Sequence, residues 1–251
     1  HESVNPVRVK EIIDTELLLK DLETVDKRMD RQKRAAKSGD KAALKLVDEL
    51  DTIKTHMEAG KPARSHKASS DEGEVLLAEL QLLTAKPVLY VCNVDEASIH
   101  DGNAHVEKLR GAVAEERAEV VLICAGIEAE IAELESAEDR AVFLEDMGLE
   151  ESGLNRLIRS GYKLLDLITY FTAGEKEVRA WTIRRGTKAP GAAGVIHTDF
   201  ERGFIRAEVI HYPDYVDCGS EAACKEAGKM NVEGKDYAVM DGDVMHFRFN
   251  V

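Results

Sequence analysis

The chain has 251 residues, of which 44% are hydrophobic, with a formal net charge of -14. That length and apolar content can fill one large core or two to three small ones, and no apolar run is long enough to cross a membrane. The acidic balance disfavours indiscriminate nucleic-acid binding, because an acidic body repels phosphate.

Leu18, Leu22, Val25 and Met29 fall at helical spacing, which predicts an amphipathic helix from about Thr15 to Lys37. Its second half is basic: Lys27, Arg28, Arg31, Lys33, Arg34 and Lys37 stand against the single acid Asp30. Such a run is either a solvated face near a helix C-terminus, where cations suit the dipole, or a contact for RNA or the ribosome. Ser38-Gly39 ends the helix, and Asp40 is a good N-cap for a second one carrying Leu44, Val47, Leu50, Ile53 and Met57. Two helices with so short a link predict an antiparallel hairpin roughly 35 Å long.

Gly60 to Glu74 reads as a polar loop, followed by a helix over Val75–Leu83. Val88–Cys92 is a short apolar run that fits the centre of a parallel sheet. A helix over about Val106–Glu116 and a second buried strand, Glu119–Cys124, complete a strand-helix-strand alternation. Glu128–Glu138 reads as an acidic, solvated helix face. Beyond Asp166 the pattern turns to short alternating segments, Glu177–Ile183, Phe204–Ile210, Tyr237–Val239 and Val244–Phe249. Turn signals at Arg185-Gly186, Pro190-Gly191 and Asp241-Gly242 separate them. Asp199, Arg202, Gly203 and Arg206 are expected on one loop-to-strand edge, with His197 a structural or interface residue.

The four cysteines are scattered, and Cys218 and Cys224 lack the short paired spacing of a zinc site. Reduced thiols in a reducing compartment are expected. No His-x-x-x-His pair suggests a built-in metal site.

The strand at Val88–Cys92 is followed at once by Asn93-Val94-Asp95-Glu96. GTPases carry Asn-Lys-x-Asp at this place, where the Asp carboxylate accepts hydrogen bonds from guanine. Adenine has no 2-amino group and its N1 is an acceptor, so Glu96 in the last position points to ATP. After the second strand, Cys124-Ala125-Gly126 stands where GTPases carry Ser-Ala-Lys, a loop that meets the base; a simple strand-to-helix turn is the other reading.

Longer blocks strengthen this. From Ile12 onwards the chain resembles the Obg-like ATPases of the YchF type, most densely in Gly153–Leu165, Thr169–Gly174, Glu177–Ile183, Ile196–Arg206, Lys225–Met230 and Asp241–Met245. The resemblance covers nearly the whole chain. It implies an α/β fold: part of a P-loop nucleotidase with a parallel sheet (1–12 and 84–166), an inserted antiparallel helical hairpin (13–83) and a C-terminal β-grasp TGS domain (167–251). It also implies ATP bound at Asn93, Val94, Glu96, Cys124, Ala125 and Gly126, a Mg²⁺ ion, ribosome or rRNA contact through the hairpin and TGS domain, and a cytoplasmic location. No Gly-x-x-x-x-Gly-Lys-Ser/Thr loop occurs in the chain; Gly60-Lys61, Gly228-Lys229 and Gly234-Lys235 continue with Pro, Met and Asp. Phosphate and Mg²⁺ ligands are therefore expected upstream, in a longer protein of which this chain resembles the C-terminal two-thirds. The expected activity is that of an ATP-hydrolysing regulator associated with ribosomes, the chain alone being inactive. The alternative is a non-enzymatic RNA- or ribosome-binding module made of hairpin and TGS domain.

Overall fold

The computed structural model describes residues 4–116, 118–174 and 177–250. Residues 1–3 and 251, at the outer ends of two expected domain ranges, lie outside them. The chain forms two compact units, His1–Leu157 and Ile158–Val251.

The first unit begins with helix α1, Pro6–Lys37, packed along α2, Lys41–Glu58. α1 starts well before the expected Thr15. Asn5 caps it by accepting from the Arg8 N–H, and Pro6 stands in the first turn, where its missing donor costs nothing. The periodic apolar pattern hid this start because Val9, Ile12 and Ile13 there are exposed. Asp40 caps α2 through the Ala42 and Ala43 N–H groups. Leu18, Val25 and Met29 of α1 bury against Leu50, Ile53 and Met57 of α2, and Leu76 and Leu82 complete the cluster. Leu76 lies on α3, Asp71–Leu80, which starts earlier than expected because Ser70 caps it and ends at Gln81 in the left-handed region.

Strands β1, Leu89–Asn93, and β2, Glu119–Ile123, pair in parallel with Asn93 opposite Ile123. Between them lies α4, Ala104–Val113, capped by Asn103 and turned inward through Val106 and Leu109. After β2 come α5, Ala125–Glu133, α6, Ala137–Asp146, and α7, Gly153–Leu164. The stretch Glu128–Glu138 is thus not one helix face. α5 stops at Leu134, and Ser136 caps a new helix.

The second unit is built on a mixed five-stranded sheet. Its strands are β3 (Leu167–Ala173), β4 (Val178–Arg184), β5 (Phe204–Ile210), β6 (Asn231–Glu233) and β7 (Val244–Phe249), in the order β4-β3-β7-β5-β6. β3 and β7 are parallel, and the other neighbours are antiparallel. Helix α8, Ala189–Ile196, presents the fully buried Ala189, Ala192 and Ala193 to Ile168, Tyr170 and Met245 of the sheet. Small side chains bring the helix close enough for the Tyr170 hydroxyl to donate to the Ala192 carbonyl at 2.9 Å. Three short helices follow: α9 (Thr198–Arg202), α10 (Tyr212–Cys218) and α11 (Glu221–Glu226).

Five features of this unit depart from what its sequence predicts. Pro190-Gly191 is no turn; Pro190 occupies the first turn of α8, a position that suits proline. Asp199 and Arg202 lie on α9, not on a loop. Tyr237–Val239 forms no strand, and Ala238 makes only an isolated bridge to Lys188. β3 and β6 have no counterpart among the expected segments. No residue of β3 is exposed, so it lacks a solvent-facing polar alternate, and the three residues of β6 are too few to show alternation. Arg185-Gly186 and Asp241-Gly242 are turns, with both glycines at positive φ.

Candidate nucleotide-base site

The carboxyl ends of β1 and β2 place Asn93 beside the start of α5. The Asn93 side-chain oxygen accepts a hydrogen bond from the Ala125 N–H at 3.0 Å. A backbone N–H can only donate, so the orientation of the Asn93 carboxamide is fixed and its NH₂ group points elsewhere. Cys124, the N-cap residue of α5, offers no side-chain cap, so Asn93 caps this helix from the neighbouring strand. The Val94 N–H donates to the Ile123 carbonyl at 2.8 Å, extending the parallel pair by one rung. Glu96 opens a short 3-10 turn, Glu96–Ser98, and is exposed, as are Asn93, Ala125 and Gly126. Cys124 is buried with Ile127, Leu122 and Ile99. The structure therefore brings Asn93, Val94, Cys124, Ala125 and Gly126 to one rim, with Glu96 on the adjoining turn. An exposed rim with free amide donors can hold the edge of a planar heterocycle, and such a place, at the carboxyl ends of parallel strands, is where ligands bind in open α/β sheets.

Two supports of this rim were missed from the sequence. Glu128, read as a solvated acid, accepts from the Gly153 and Leu154 N–H groups at 2.7 and 3.1 Å and so caps α7. A side chain at Gly153 would collide with that carboxylate, at 2.9 Å from the added Cβ. The second support lies at the other end of β1. Glu116 accepts from Tyr90 at 2.8 Å and pairs with Lys10 at 2.6 Å and Arg64 at 3.0 Å. Burial pushes the Glu116 carboxyl up, but hydrogen bonds from Lys10 and Tyr90 outweigh it and hold the group below the usual carboxylate range. Burial, then the bond to Glu116, pushes the Tyr90 phenol up to about 12. Neither cluster has a local sequence signature, since the partners lie 25 and 26 or more residues apart.

The basic run lies on the second half of α1. Arg28 is committed to Glu79 of α3 at 2.9 Å, while Lys27, Arg31, Lys33, Arg34 and Lys37 are exposed. His197 caps α9, its Nδ1 accepting from the Asp199 N–H at 3.2 Å. Among the described residues no group of three or more His, Cys, Asp and Glu could hold a metal ion. With no Gly-x-x-x-x-Gly-Lys-Ser/Thr loop in the chain either, these residues do not fit Mg²⁺, and no hydrolytic step follows from them.

Residues 167–250 match the family model YchF-GTPase_C, described as a protein of unknown function. The ribosome-binding ATPase YchF of Bacillus subtilis (strain 168) is 53% identical over 250 residues, spanning 99% of this chain and 68% of the relative. Obg-like ATPase 1 of Caenorhabditis elegans is 42% identical over 250 residues, spanning 98% of this chain and 63% of the relative. The solved YchF GTPase of Schizosaccharomyces pombe superposes with a TM-score of 0.85 at 35% identity, over 99% of this chain and 67% of that one. A mixed α/β fold with this strand-end rim and these relatives defines a protein of the Obg-like ATPase class. Within that class the chain belongs to the YchF family.

Proposed function

We propose that this chain supplies the base-reading side of an ATP site and the ribosome-contacting surface of a ribosome-associated regulator in the cytoplasm. Residues 1–12 and 84–166 are the nucleotidase portion, 13–83 an inserted hairpin, and 167–251 a TGS domain of β-grasp type. The mixed sheet with α8 across it supports the last assignment. Lys27, Arg31, Lys33, Arg34 and Lys37 carry the ribosome contact, and Arg28 braces the hairpin against Glu79.

The observation that carries the base reading is the Asn93–Ala125 bond. It leaves the Asn93 NH₂ free to donate to a ring-nitrogen acceptor of adenine, while Glu96, one methylene longer than Asp, does not present the guanine-reading carboxylate of Asn-Lys-x-Asp. Curated relatives are named ATPases and the fission-yeast structure a GTPase, so base choice is the property to measure. Competition between ATP and GTP for the full-length protein is expected to favour ATP at least tenfold. Equal affinities, or a preference for GTP, would sink the assignment. For the ribosome contact, Arg31, Arg34 and Lys37 changed together to Glu should weaken co-sedimentation and flatten its salt dependence, with ATP binding unchanged.

A further inference from the structure

We infer that the tip of the α1–α2 pair is a docking groove for an acidic amphipathic helix carried by a ribosomal protein, a refinement that rests on the ribosome-contact reading above. The groove has a volume of about 530 Å³ and is walled by Asp30, Lys33, Arg34 and Lys37 over a floor containing Leu44 and Val47. Its floor is anomalous for α2. Leu50, Ile53 and Met57 are at most 1% exposed, whereas Leu44, on the same helix, is 57% exposed. Its walls are basic and unneutralised among the described residues, as are Lys27, Arg31, Lys41 and Lys45 elsewhere on the pair, although other cations of these helices are matched. Lys20, Arg28 and Lys54 are neutralised by Glu23, Glu79 and Asp26. The side chains of Lys33, Arg34 and Lys37 have no ion-pair partner among the described residues, in a chain of net charge -14.

Unpaired cations around an exposed leucine discriminate between partners. An RNA strand would use the cations and gain nothing from the floor, because no residue lining the groove is aromatic and base stacking has no platform. An amphipathic helix uses both. Its apolar stripe covers Leu44 and Val47, and carboxylates on its flanks meet Lys33, Arg34 and Lys37. The opposite charge also speeds encounter and excludes basic helices.

The test uses the full-length protein and a fluorescein-labelled 18-residue model helix with leucines at i, i+3 and i+7 and glutamates beside them. Fluorescence anisotropy should show binding, and Leu44→Asp should weaken it at least about tenfold, as loss of a central anchor does. Reversing Lys33, Arg34 and Lys37 to Glu should do the same. Leu44 is exposed, so a melting curve should show Leu44→Asp folding normally. Equal binding of a peptide with Lys for Glu, or binding indifferent to Leu44→Asp, overturns the inference. In ribosome co-sedimentation, Leu44→Asp should lower the bound fraction, and a photo-crosslinker in place of Leu44 should label a protein segment of acidic amphipathic pattern. Should the triple reversal weaken sedimentation while Leu44→Asp does not, or the crosslink fall on rRNA, the hairpin meets RNA. The docking inference then fails and the ribosome reading stands. If neither variant alters sedimentation, both fail.

Discussion

The Asn93 side-chain oxygen and the Ala125 N–H, hydrogen-bonded at 3.0 Å, join the end of β1 to the first residue of α5. One carboxamide thus caps a helix with its oxygen and presents its NH₂ to the rim. The two roles are separable. Asn93→Asp keeps an acceptor for Ala125 and loses the donor, whereas Asn93→Ala loses both. Melting of Asn93→Asp should match the parent, and Asn93→Ala should lose about 1 kcal/mol, since exposed Ala125 can turn to water. ATP affinity should fall about five- to tenfold in both. Undiminished ATP binding by Asn93→Asp would reduce Asn93 to a cap.

The Glu96 side chain makes no hydrogen bond or ion pair with any described residue, while its carbonyl accepts from the Ile99 N–H at 3.3 Å, so shortening the side chain should cost little stability. Glu96→Asp restores the guanine-reading residue type at the end of the motif. GTP affinity should rise by about 1–3 kcal/mol if both guanine donors are met, read out by displacement of a fluorescent nucleotide. No gain for GTP would mean that the turn at Glu96 holds the carboxylate away from the base.

Asp21, only 2% exposed, accepts from the Leu83 N–H, the Thr84 N–H and the Thr84 hydroxyl, each at 2.7 Å. Thr84 in turn accepts from the Ala63 N–H at 3.0 Å. One carboxylate on α1 therefore ties down the segment that leads into β1. Asp21→Asn replaces an acceptor with a donor facing these N–H groups and should cost about 3 kcal/mol in urea unfolding, from unsatisfied buried donors and a lost charge-assisted bond. A cost below about 1 kcal/mol would show that the segment relaxes towards water.

The Glu116 cluster predicts a pH dependence. Glu116 titrates below its usual range, so the folded state binds its proton less readily than the unfolded chain does. Its stabilisation is present in full above the ordinary glutamate value, near pH 4.5, and is lost as pH falls below that value through the lowered one. Glu116→Gln should destabilise by about 2 kcal/mol at pH 7, and the difference from the parent should shrink progressively as pH falls below the ordinary glutamate value of 4.5. A gap independent of pH would assign the loss to packing rather than charge.

Much of this protein was legible in its residues. The hairpin helices, β1, β2, β4, β5 and β7 follow from short-range periodicity and from Asp40 and Gly39 between the helices, because those signals act within a turn or a strand. The expected place of β1 at a sheet centre does not hold, since among the described residues it pairs only with β2 and Val91 is 43% exposed. Asn93 and Glu96 were marked by their place after an apolar run, and Cys124–Gly126 likewise. The start of α1 was hidden because its first apolar residues face solvent, so periodicity reported no buried stripe there. α8 was masked by a Pro-Gly pair that reads as a turn unless a helix is known to begin on it.

Only the tertiary structure decided the partners. That Asn93 caps α5, Glu128 caps α7, Asp21 anchors Thr84 and Glu116 gathers Lys10, Arg64 and Tyr90 depends on segments 25 to 106 positions apart in the chain being brought to hydrogen-bonding distance. A carboxylate carries the same local signature whether it is solvated or capped. Its desolvation and its donors are set by what folds against it, and hydrogen bonds act over about 3 Å. The residue types and their order marked the hairpin helices, most strands and the residues of the rim; the packing decided where α1 begins, that α8 and β6 form, and which polar groups hold that rim in place.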